Sequence, residues 1–173
     1  MISLRHSIIF LFLGFVAIFI QGTLLKFISP TMISPNFLVM LVVYLGFERI
    51  SVAGVILAFL LGFELDLCSA QLLGPWAGAF VIGFSVIAAM SQHVFVESPF
   101  AVSLAVAAAN IITALVYAGM VYEFQPAGVI SFWPLLLESV LSALVAPIVY
   151  VMLKAILPHQ DKKRGGKFSS SLV

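Results

Sequence analysis

Charge is what this chain has least of. Only 9% of its 173 residues are Asp, Glu, Lys or Arg, against roughly a quarter in an ordinary soluble domain. With 63% apolar residues and a mean hydropathy of +1.23, a water-soluble fold is excluded, as is disorder through most of the chain. Cysteine is nearly absent. Cys68 stands alone, which rules out an internal disulfide framework and any metal site built on several thiols. A net charge of +1 leaves no footprint for a nucleic acid. No H-E-x-x-H spacing joins His6, His93 and His159, and there is no phosphate loop, no G-x-S-x-G and no paired nucleophile and base. Neither an enzyme, nor a cofactor, nor a bound metal is expected.

What the chain does have is long apolar runs. A bilayer core takes about 20 helical residues to cross. Six runs reach or approach that length, at residues 7–25, 36–50, 52–67, 76–92, 100–122 and 132–157. The first exceeds the apolar region of a cleaved signal peptide, roughly 7–15 residues. Lys26 and Pro30 follow it, not a small-residue cleavage site, so it reads as a permanent helix. The second run is the shortest, about 22 Å as a helix. It is either nearly upright in a thinned bilayer or sheltered by its neighbours. The expected fold is all-α, a polytopic membrane bundle of six helices spanning residues 1–157 as one domain, with five helices as the alternative. Residues 158–173 read as a basic, disordered tail, whose Lys162, Lys163 and Arg164 touch anionic lipid.

Six spans put Arg5, Arg49, Lys154, Lys162, Lys163, Arg164 and Lys167 on one side of the membrane and Lys26 alone on the other. By the positive-inside rule both termini are then cytoplasmic. Trp76, Tyr122 and Trp133 fall at the outer ends of spans, which agrees. Five spans would part Arg5 from the basic tail and lose most of the bias.

An ionisable group inside a membrane span is a functional candidate by default. The third run carries Gly54, Ala58, Gly62 and Asp66 at four-residue spacing. They form one narrow helix face on which another backbone can come close. Asp66 ends that seam. It reads either as an anchor for amides of the next turn or of a partner helix, or as a carboxylate solvated at the outer interface. Glu64 lies roughly 200° away around the helix, with Ile56, Leu57 and Leu60, and is expected to snorkel outward. The two carboxylates therefore cannot form an acid–base dyad. Glu138 is expected either to meet Lys26 or a partner group, or to sit protonated or bathed in water. Asn110, midway in the fifth run, reads as glue inside the bundle. Ala101, Ala105, Ala109 and Thr113 repeat the four-residue spacing. That stripe either packs within the bundle or, the sharper expectation, docks a helix of another protein.

Three stretches resemble one family. They are Pro35-Asn36-Phe37-Leu38-Val39-Met40-Leu41-Val42-Val43-Tyr44, then Gly62-Phe63-Glu64-Leu65-Asp66-Leu67, then Leu73-Gly74-Pro75-Trp76-Ala77-Gly78-Ala79. The chain is similar there to MreD proteins, whose pattern is glycine, an apolar pair, Asp, a short turn, Leu-Gly and a small-residue-rich helix. Length and span count match over almost the whole chain, while Glu64 and Trp76 depart from the pattern. The resemblance implies a non-catalytic, rod-shape-determining scaffold of the bacterial inner membrane. Its implied partners are an MreC-like single-span protein, an MreB-like filament, and the glycosyltransferase and transpeptidase that build lateral-wall peptidoglycan. It also implies a six-helix fold like the substrate-binding components of energy-coupling vitamin transporters. The alternative function is thus a small-molecule-binding membrane subunit of such a transporter. Against it stands the first run, which offers Gly14 and Ala17 and no alanine-x-x-x-alanine docking pair.

Overall fold

The computed structural model describes residues 4–25, 34–48, 50–69, 72–92, 98–122 and 132–157. Lys26, Arg49, His93 and the 158–173 tail, on which several expectations rest, lie outside them. Among the described residues all regular structure is helical. Leu4–Phe19 forms α1, which widens into a π-helical stretch at Ile20–Leu25. Then follow α2 (Phe37–Glu48), α3 (Val52–Ser69), α4 (Pro75–Ser91), α5 (Pro99–Val121) and α6 (Phe132–Ile156). Four of the helical segments, α1 with its extension, α3, α5 and α6, are long and apolar enough to cross a membrane. At 12 and 17 residues, α2 and α4 are shorter apolar helices, below the roughly 20 residues of a typical span.

The shortness of α2 has a packing explanation. Every residue from Leu38 to Gly46 is buried, because α1, α3, α4, α5 and α6 all touch this helix. A helix covered all round needs no polar face, so its sequence is apolar at every position. Around it the outer helices turn large apolar side chains outward: Phe12, Phe15 and Phe19 on α1, Leu104 and Leu115 on α5, Leu144, Ile148 and Val151 on α6. In water such a surface would be an aggregation liability. In hydrocarbon it is the ordinary lipid face.

The two ends of α2 are held differently. At its C-terminal end Tyr150 donates to Glu48 Oε1 at 2.7 Å and Lys154 Nζ lies 3.4 Å from the same oxygen. There too the Tyr44 hydroxyl donates to the Leu157 carbonyl at 2.8 Å. At the other end the Asn36 backbone N–H donates to Ser142 Oγ at 2.8 Å. Ser142 is well inside α6, roughly 15 Å along the axis from Phe132. The start of α2 is therefore recessed among its taller neighbours, and the recess leaves a hollow above it.

Candidate functional site

Two polar constellations sit toward this same end of the bundle. The first is built on Asp66, at the end of α3 and only 1% exposed. Its Oδ2 accepts from the backbone N–H of Gly74 at 2.9 Å and of Ala77 at 3.1 Å. Its Oδ1 accepts from Trp76 N–H at 3.2 Å. These are amides that the start of α4 leaves without an intrahelical partner. Gly74 holds the N-cap position at φ 112° and has no side chain to cap with, and Pro75 has no N–H to satisfy. Asp66 does the capping from the neighbouring helix, its negative charge at the positive end of the α4 dipole. Gly54, Ala58 and Gly62 of the same seam are buried. A Cβ at Gly62 would come within 2.5 Å of the Trp76 carbonyl oxygen and the Ala77 Cα, so only hydrogen lets α3 and α4 close this far.

The second constellation centres on Asn36. Its Nδ2 donates to Asn110 Oδ1 at 3.1 Å and to Glu138 Oε1 at 3.0 Å, which uses both amide hydrogens. Its Oδ1 caps α2 by accepting from Val39 N–H at 3.2 Å. Asn110 Nδ2 donates to Ser139 Oγ at 3.0 Å, and the Ser139 hydroxyl in turn donates to the Leu135 carbonyl at 2.7 Å. The network ties α2, α5 and α6 together. Beside it lies a cavity of about 360 Å³ whose polar lining includes Gln21, Ser34, Asn36, Ser69 and Glu138. Gln21 stands in the π-helical stretch, and its Nε2 is engaged by the Pro35 carbonyl at 2.8 Å.

The structure thus brings Asn110 and Glu138 together and leaves Asp66 in a separate cluster. Lys26, a partner expected for Glu138, lies outside the described residues. Two other expectations are corrected. Glu64 is not simply turned outward: the residue is half-buried, and its Oε2 is buried without a hydrogen-bond partner against Gly14 of α1. The periodicity showed which face Glu64 occupies, but not that α1 covers that face. The Ala101, Ala105 and Ala109 stripe is not an open docking face either. Ala105 and Ala109 are buried, and Ala101 is half-buried. Helices α4 and α6 flank α5, and Gly83 of α4 meets the Thr113 methyl at the end of the stripe. Ala105→Leu should therefore lower the amount of folded protein, at a cost of about 1–3 kcal/mol for overpacking. Membrane level by immunoblot measures this, and a normal level would show that the stripe has room to spare.

Sequence reading missed Asn36, Gln21, Ser139 and Ser142. Asn36 carried one usable signal, an N-cap residue type directly after Pro35 at the head of an apolar run. The serines carried none.

Fold and site together define a polytopic helical membrane protein whose polar groups join helices to one another. Among the described residues no three His, Cys, Asp or Glu side chains gather as metal ligands. The chain belongs to the MreD family: the description "rod shape-determining protein MreD" fits it over residues 1–156. Membership implies a role in determining rod shape. No curated protein and no solved structure matches the chain.

Proposed function

We propose that the protein is a non-catalytic scaffold of the cell-elongation machinery in the bacterial inner membrane. In this reading it holds an MreC-like single-span protein beside the lateral-wall glycosyltransferase and transpeptidase, with an MreB-like filament on the cytoplasmic side. The observation that carries it is how the polar groups are spent. Asp66 satisfies three amides, and Asn36 and Asn110 join three helices, so the deepest polar atoms build the bundle. The test is recovery of partners with the tagged full chain from detergent-solubilised membranes. An MreC-like single-span protein should co-purify. Its absence at normal membrane level, with an ATPase pair recovered in its place, would favour the transporter reading.

The same proposal sets the orientation, with both termini in the cytoplasm. Support comes from the cation count and from Lys154, at the end of the bundle opposite the cavity. Single cysteines at Ser3, Ser131 and Ser170 in a Cys68→Ser background report on it. A membrane-impermeant thiol reagent added to whole cells should label position 131 alone. Labelling at 170 without labelling at 3 would contradict six spans.

A further inference from the structure

The hollow above α2 exists because a buried 12-residue helix stands among longer ones. Its volume, about 360 Å³, falls within the 300–1,000 Å³ of small-molecule sites. The bookkeeping of its side-chain groups has a direction. Asn36 has given both amide hydrogens away, and Gln21 Nε2 has given one of its two to the Pro35 carbonyl. Acceptors remain: the Gln21 amide oxygen and the Glu138 carboxyl group, toward which Asn36 points a hydrogen. No described Lys, Arg or His lines the cavity, and Leu65, Cys68 and Trp76 supply the less polar wall. A pocket with one carboxyl group in its lining and an apolar wall beside it matches a ligand that donates hydrogen bonds from a positive end and buries a short apolar body.

We propose that this recessed cavity is a binding site for a small organic cation, a protonated amine held by Glu138 and Gln21 with its apolar part against Leu65 and Trp76. The site is separate from the scaffold reading and does not depend on it. It gives the protein a place where a small molecule touches α1, α2, α3, α4 and α6 at once, through residues of all five helices or their immediate flanks.

Cys68 lines the cavity, is exposed and is the single cysteine of the chain, so it serves as a built-in reporter. The experiment uses the purified full chain in detergent and compares two thiol reagents of equal reach, aminoethyl methanethiosulfonate (cationic) and sulfonatoethyl methanethiosulfonate (anionic). With rates normalised to a free thiol, the cationic reagent should react about tenfold faster, because a nearby negative charge favours one reagent and disfavours the other. Glu138→Gln should bring the ratio to near one. Benzylammonium should protect Cys68 while benzyl alcohol, of the same shape without the charge, should not. Gln21→Leu, on the rim, should weaken the protection and keeps the test decisive if Glu138→Gln fails to accumulate. Equal protection by both compounds, or by neither, would overturn the proposal. So would a preference for the anionic reagent, as a cation of the chain itself in the site would produce.

Discussion

Asp66→Leu is expected to remove most of the folded protein from the membrane. The carboxylate is the acceptor for three backbone amides at the start of α4, and leucine offers them nothing. A buried donor left without a partner costs about 1–3 kcal/mol, so three together cost about 3 kcal/mol or more. That is a large fraction of the roughly 5–15 kcal/mol by which a typical domain is stable. Asp66→Asn should fall between, since its amide keeps one oxygen and turns an N–H toward the others. Glu64, two residues away, provides the internal comparison. Its buried Oε2 has no hydrogen bond to lose, and replacing such a group by an apolar one is close to neutral. Glu64→Leu should therefore hold its membrane level and its melting temperature in detergent. Equal losses in Asp66→Leu and Glu64→Leu would mean that the capping bonds do not govern stability here.

The second large effect is expected at Gly62. Alanine is the better helix former by about 1 kcal/mol, so an open helical glycine should gain stability when it is replaced. At Gly62 the added methyl would lie 2.5 Å from the Trp76 oxygen and the Ala77 Cα, and both are backbone atoms that cannot swing aside. Asp66 pins the same turn of α4 four residues further on. Gly62→Ala should thus destabilise by about 1–3 kcal/mol despite its propensity, and Gly62→Val by more. Gly119→Ala is the control, because nothing lies within 4 Å of the Cβ it would add. Thermal unfolding of the three variants in detergent should order them Gly119→Ala, Gly62→Ala, Gly62→Val from most to least stable. Gly62→Ala melting at or above Gly119→Ala would show that the helices separate at no cost. Gly62 and Asp66 act on the same residues of α4, so their combined effect should be less than additive.

The physical reasons for what was legible differ from element to element. The helices could be placed because apolar runs and Gly-Pro or charged breaks are local signals, and α1 to α6 begin and end within a few residues of those runs. The Gly54, Ala58, Gly62 and Asp66 seam was legible because four-residue spacing is a property of one helix. Its partner was near in sequence too, only eight to eleven residues from Asp66. Asn36 was not legible. Its partners Asn110 and Glu138 lie 74 and 102 residues away, and their meeting depends on how deep α2 sits. The alanine stripe on α5 left packing and docking both open for a related reason. Small residues at four-residue spacing say that something packs closely, and read the same whether the neighbour is α4 or another protein.

The proposed role is rod-shape determination as a packed membrane scaffold. The most direct measurement is cell shape as the protein is depleted in its own rod-shaped host, with wild type resupplied at the native level. Depletion should turn rods into rounded cells, and resupply should restore rods without any added nutrient. Cells that stay rod-shaped below the detection limit of the protein, and that stop growing unless a vitamin-like nutrient is supplied, would contradict the account.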